Sequence, residues 1–109
     1  MLLARVAGEI DGATAGELRD ALSRRLTNRG PGLVLDLSEA TYVDSAGIEF
    51  LFDIARRLRT RGQRLGLVVP AEAPMRRILD LCAVDQVASL DVTLEAAIEG
   101  LSQASRREQ

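Results

Sequence analysis

Three observations predict an α/β fold, a single domain with a mostly parallel four-stranded sheet and four helices. Segments of period 2 alternate with segments of period 3.6 along the whole chain. Capping residues and breakers fall between them, at Asp11-Gly12, Asn28 to Gly32, Thr60-Arg61-Gly62 and Pro70 to Pro74. The run around Leu67, Val68 and Val69 is apolar without alternation, which suits a strand buried on both faces of a parallel sheet. The resulting order β-α-β-α-β-α-β-α favours crossover connections between parallel strands.

The elements follow in order. Residues 2–10 set Leu2, Ala4, Val6, Gly8 and Ile10 against Leu3, Arg5, Ala7 and Glu9, a single strand with one apolar face. Thr14-Ala15-Gly16-Glu17 reads as a capping box for the first helix, whose inner face carries Ala15, Leu18, Leu22 and Leu26. Leu33, Leu35 and Leu37 form the second strand, and a short loop leads to a second helix opening at Asp44-Ser45-Ala46-Gly47. Ile48, Leu51, Phe52 and Ala55 are its expected inner face.

Arg64 to Val69 is the third strand. Pro74 suits the first position of a third helix. In that helix Met75, Ile78, Leu79 and Cys82 repeat at i, i+3, i+4 and i+7, placing Cys82 in the core. A short strand near Val87–Leu90 precedes a last helix capped near Asp91 or Thr93, with Leu94, Ala97, Ile98 and Leu101 inward. The expected division is a domain over 1–103 and a flexible C-terminal tail over 104–109.

Composition bounds the function. At 109 residues the chain holds one core, and aromatics at 3% make that core aliphatic. The net charge of −2 gives no electrostatic basis for nucleic-acid binding. Every basic residue is an arginine, and Arg56, Arg57, Arg59, Arg61 and Arg64 read as a solvated face that complements a helix C-terminus. One cysteine and no histidine exclude an internal disulfide, a cysteine metal cluster and the commonest general base. No metal or cofactor is expected. No apolar run reaches the roughly 18 residues of a membrane span, and no signal-peptide pattern opens the chain, so a cytoplasmic protein without direct membrane insertion is expected.

The most informative stretch is LVLDLSEATYVDSAGIEFLFDIARRLR, from Leu33 to Arg59. It changes period within a dozen residues, setting Ser45 at a strand-to-helix junction. A hydroxyl there can cap free N–H groups, and a phosphate there meets those N–H groups and the positive end of the helix dipole. On the dipeptide alone, Asp44-Ser45 reads as a helix cap. Tyr42 reads as a hydrophobic anchor for the loop, and Asp11 as a turn residue. Phe50 lies off the expected inner face, either as an exposed partner-binding ridge beside Ser45 or as packing under an adjoining element.

Gly8-Glu9-Ile10-Asp11, then Ala13-Thr14-Ala15 and Leu18, then Val43-Asp44-Ser45-Ala46-Gly47, then the Arg-Gly-Gln-Arg-Leu entry to the third strand together resemble the STAS domain of bacterial anti-sigma factor antagonists. The resemblance runs from about Leu3 to Leu101, and its most specific piece is the Asp-Ser-(small)-Gly tetrapeptide. It implies a regulatory binding protein and not an enzyme. In that family an anti-sigma factor that is also a serine kinase phosphorylates the serine after the aspartate. The unphosphorylated antagonist binds that kinase and frees a sigma factor, the phosphorylated form lets go, and a PP2C-type phosphatase resets the serine.

By position the resemblance makes Ser45 the phosphoacceptor, with Asp44 and Gly47 beside it and Asp11 in the neighbouring loop on the same face; Ala46 and, on the ridge reading, Phe50 complete the expected partner-binding residues. Ala46 and Gly47 are small enough to let a partner approach the helix start. Two departures accompany it. Family members usually begin with another strand before the one ending in Gly8-Glu9-Ile10-Asp11, so either an open sheet edge, with homodimerisation unsettled, or a natural start other than Met1 is expected. Ala83 stands where the family commonly has Gly; if that position is left-handed, Ala costs about 1 kcal/mol.

Two other functions compete. A STAS subunit of a lipid-transport ABC system or a stress-signalling assembly keeps the fold and changes the client. A small hydrolase using Ser45 and Asp44 lacks any histidine or lysine to activate the hydroxyl.

Overall fold

The computed structural model describes residues 1–27 and 29–107. The elements are β1 (Leu2–Arg5), β2 (Gly8–Ile10), α1 (Gly12–Arg25), β3 (Gly32–Asp36), β4 (Ala40–Val43), α2 (Ser45–Thr60), β5 (Arg64–Val68), α3 (Pro74–Leu81), a 3-10 turn (Val84–Gln86), β6 (Ser89–Asp91) and α4 (Leu94–Arg107). The main sheet has four parallel strands in the order β1-β3-β5-β6. The strands β2 and β4 form a second, two-stranded parallel ladder.

The pleat of β3 assigns the two layers. Leu33 and Leu35 join Leu65 and Leu67 of β5 in the large core, which α1, α2 and α3 cover. Val34 and Val68 point to the other face, where Ala97 and Leu101 of α4 close a smaller core. Every residue of β3 is buried, as a central parallel strand requires.

Two segments depart from expectation because a short second sheet branches from the first. Residues 2–10 are two strands separated at Val6-Ala7: β1 pairs with β3, whereas β2 pairs with β4. The expected loop before α2 is strand β4, paired on one side only. Only Val43 of this strand is buried, whereas Tyr42 is 50% exposed and does not anchor the loop.

The first capping box lies one turn earlier than expected. Asp11 is the N-cap of α1; its Oδ1 accepts from the N–H groups of Ala13 and Thr14 at 3.0 Å each. Thr14 Oγ1 accepts from Asp11 N–H at 2.9 Å and donates to the Glu9 carbonyl at 2.9 Å. Gly12 and Ala13 are thus already helical, and Asp11 is the stronger acceptor for the free N–H groups.

Helix α3 stops at Leu81. It buries Met75 and Leu79, leaves Leu81 77% exposed, and places Cys82 beyond its last turn, exposed and not in the core. Ala83 then reverses the chain with φ 58° and ψ 35°, the left-handed geometry. At the far end α4, capped by Thr93 Oγ1 accepting from Ala96 N–H at 3.2 Å, continues to Arg107, so residues 104–107 are helical where a tail was expected. Asn28, the first of the expected breakers after α1, and the tail residues 108–109 lie outside the described residues.

Candidate functional site

The start of α2 is held by its neighbours in a way that leaves one hydroxyl free. Asp44 is the N-cap, with its Oδ1 accepting from the Gly47 N–H at 3.0 Å and its carbonyl from the Ile48 N–H at 2.9 Å. Its own N–H donates to the Ile10 carbonyl of β2 at 3.3 Å. Ser45, the first helical residue, is exposed, and its hydroxyl has no hydrogen-bond partner among the described residues. The cap reading therefore applies to Asp44 and not to Ser45.

Gly47 explains why the helix can start here. A Cβ at this position would collide with the Ile10 carbonyl oxygen and stand 2.6 Å from Val43 Cγ2. The first turn of α2 is thus seated on both strands of the small sheet, and only glycine permits the approach. Gly47 is buried, so its smallness serves packing and not an incoming partner. Ala46 is half-buried and faces α1, where a Cβ on Gly12 would lie 3.9 Å from Ala46 Cβ.

Two helix N-termini consequently lie side by side, each capped by a carboxylate, Asp11 on α1 and Asp44 on α2. The exposed surface between them consists of Gly12, Ala13 and Ser45. Asp11 is held below the ordinary carboxylate value of 3.8, chiefly by the Thr14 backbone N–H, with the Thr14 hydroxyl and Ala13 N–H adding to it against a desolvation penalty. Farther along, Asp53 of α2 receives Arg19 of α1 at 3.2 Å, Arg56 at 3.2 Å and Arg57 at 3.6 Å. Arg57 also donates to Ser23 Oγ at 3.2 Å. These exposed pairs are individually weak, and their effect is to keep α1 in register with α2.

Phe50 requires a correction. It is 1% exposed and lies in the large core, so the partner-binding ridge is ruled out. The inner face of α2 is Gly47, Phe50, Leu51, Ile54, Ala55 and Leu58, a stripe at i, i+3, i+4, i+7, i+8 and i+11. The expected face was rotated by starting at Ile48; starting from Gly47, the residue seated on β2, recovers the observed one.

A further polar site went unmarked in the sequence. Asp36, at the end of β3, is 6% exposed and accepts from Ser38 through both its hydroxyl (2.6 Å) and its N–H (3.0 Å), with Arg5 at 3.5 Å. Burial disfavours its charge, but the Ser38 hydrogen bonds and Arg5 outweigh that and hold its carboxyl below 3.8. It closes the loop that leads into β4. Among the described residues no helix is long and apolar enough to cross a membrane.

Comparisons with known proteins agree with this architecture. The Anti-sigma-B factor antagonist of Listeria monocytogenes is 39% identical over 62 residues, 57% of this chain and 54% of that protein. The chain thus spans about half the length of that relative in the matched region. The Anti-sigma-F factor antagonist RsfB of Mycobacterium tuberculosis is 30% identical over 97 residues, 88% of this chain and 77% of that protein. The crystal structure of an anti-sigma factor antagonist from Mycobacterium paratuberculosis superposes with a TM-score of 0.77 at 30% identity, covering 91% of this chain and 85% of the other. The family model for the STAS domain matches residues 1–107. With that match over nearly its whole length, the chain belongs to the STAS domain family.

Proposed function

We propose that the protein is an anti-sigma factor antagonist switched by phosphorylation of Ser45. One observation carries the reading: Asp44 takes over the capping of α2, which leaves Ser45 exposed and unpartnered on a rigid support. The names of the Listeria and Mycobacterium relatives support the same function. The partner is an anti-sigma factor acting as serine kinase, and a PP2C-type phosphatase reverses the modification.

In the phosphorylated step the Ser45 oxygen bonds to the γ-phosphorus of ATP. ADP leaves, and the hydroxyl proton passes to a base of the kinase. The product carries about −1.5 to −2 charge near neutral pH. Its anion meets the positive end of α2, worth roughly 0.3–1 kcal/mol at an exposed helix start. The N–H groups of Ser45 and Ala46 have no acceptor among the described residues and are available to it.

Inside an interface the balance changes. Asp44 adjoins the phosphate and Asp11 caps the neighbouring helix. A like-charge pair at 4 Å costs about 1 kcal/mol in water and about 4 at an effective dielectric of 20. Desolvation of the phosphate adds to this. Since about 1.4 kcal/mol is tenfold in affinity, the complex releases while the isolated domain keeps its fold.

Incubation with candidate anti-sigma kinases and ATP, followed by mass spectrometry of wild type and Ser45→Ala, tests the assignment. Phosphate on Ser45, absent from the variant, is expected; phosphate on another residue alone would refute it. Recovery of a membrane ATPase instead of an anti-sigma kinase in a pull-down would move the protein to another STAS-containing assembly.

A further inference from the structure

The opposite end of the molecule holds a cavity of about 720 Å3, within the size range of small-molecule sites. It wraps the amino end of β5 and the short edge strand β6, between the last turns of α2 and the middle of α4. Neither Ser45 nor any residue near it lines this space. Ala55, the residue of α2 in its wall nearest Ser45, lies roughly 15 Å along the helix from that serine.

The cavity exists because small residues meet there. Ala55 of α2, Ala88 before β6, Ser89 at its start, and Gly100 and Ala104 of α4 leave the space unfilled. Its charged residues come from different elements. Arg56 and Arg59 belong to α2 and Arg64 to β5, whereas Asp85 belongs to the 3-10 turn and Asp91 to β6. Arg56 is engaged by Asp53 at 3.2 Å, but the guanidinium of Arg59 has no ion pair or hydrogen bond among the described residues.

Gln63, buried to 5% exposure, forms part of the wall. Its Nε2 donates to the carbonyls of Thr27, Arg29 and Gly30 at 3.0, 3.1 and 3.3 Å, which settles the orientation of the amide. Its Oε1 is buried and has no donor among the described residues. Gln63 also borders a hollow of about 150 Å3 beside Met1 and Leu2, room for water and not for a ligand of size.

An unpaired guanidinium asks for an anion. The carboxylates of Asp85 and Asp91 ask for hydrogen-bond donors. We propose that this cavity is a ligand site for a small organic anion, a phosphate or carboxylate whose body carries several hydroxyl groups. Arg59 holds the anionic head, and Asp85 and Asp91 accept from the hydroxyls. The assignment is independent of the role given to Ser45.

Amide NMR titration of the intact protein tests it, with glucose 6-phosphate and gluconate as probes and inorganic phosphate and glucose as controls. Saturable shifts at Gly62, Ser89 and Gly100, with a dissociation constant below about 1 mM, are expected from at least one of the two probes. Which probe saturates identifies the preferred head. Arg59→Glu should weaken binding at least about tenfold. Gly100→Leu should do so by filling the cavity, while raising the helix propensity of α4. No saturation by either probe, equal shifts from inorganic phosphate or glucose alone, or unchanged affinity in Arg59→Glu would overturn the site. If Gly100→Leu does not fold, the exposed Arg59→Glu decides the question by itself.

Discussion

Asp44 Oδ1 accepts from the Gly47 N–H at 3.0 Å, and this one bond separates the structural job of the Asp-Ser pair from its chemical one. The aspartate caps the start of α2, whereas the serine side chain beside it makes no hydrogen bond among the described residues. The two residues should respond oppositely to truncation.

Asp44→Ala removes the cap and should cost about 1 kcal/mol. Ser45→Ala should stay within about 0.5 kcal/mol of wild type, the range of surface substitutions. Urea denaturation of both variants measures this. A loss for Ser45→Ala as large as that for Asp44→Ala would return the serine to a capping role.

Gly47→Ala should destabilise the protein by about 1–3 kcal/mol, the usual penalty of overpacking, because the added methyl meets the Ile10 carbonyl and Val43. It should also disturb the amides of Ile10, Val43 and Ser45, since the turn must lift from the small sheet. Thermal melting and an amide spectrum report both effects.

Phe50→Ala should cost about 3–5 kcal/mol, as for other buried aromatics. Chemical denaturation distinguishes this from an exposed binding ridge, whose truncation would leave stability nearly unchanged.

Ala83→Gly should stabilise the protein by about 1 kcal/mol, because the left-handed geometry at φ 58° penalises a Cβ and not glycine. A rise in the urea midpoint with an unchanged slope is the expected signature.

Asp36 gives a pH dependence of known sign. Its folded value lies below 3.8, so its contribution is complete above about that pH and disappears as the pH falls through the lowered folded value. Asp36→Asn should therefore be less stable than wild type at neutral pH, and the gap should narrow below 3.8. Denaturation curves at several pH values between neutrality and strong acid measure the gap.

The elements legible in the sequence were those whose own residues pay for their burial. The alternation of Leu33 to Leu37, the continuous apolar run of Leu65 to Val69 and the helical spacing of Leu94 to Leu101 are local signals, and β3, β5 and α4 follow them. The junction at Ser45 was legible for the same reason, since the change of period and the Asp-Ser-Ala-Gly sequence are both local.

Tertiary structure decided the rest. Whether residues 2–10 form one strand or two depends on which partner each half meets, β3 or β4, and no local pattern encodes a partner. Phe50 turned inward because Gly47 seats the helix on Ile10, a contact with a residue far away in the chain. Cys82 stayed out of the core because α3 ended one residue before it, at the left-handed turn of Ala83. The sequence by itself determined the alternation of the main-sheet strands with the four helices and the position of the strand-to-helix junction at Ser45. The rotation of each helix and the branching of the sheet came from contacts between distant residues, whose energies exist only once the chain is packed.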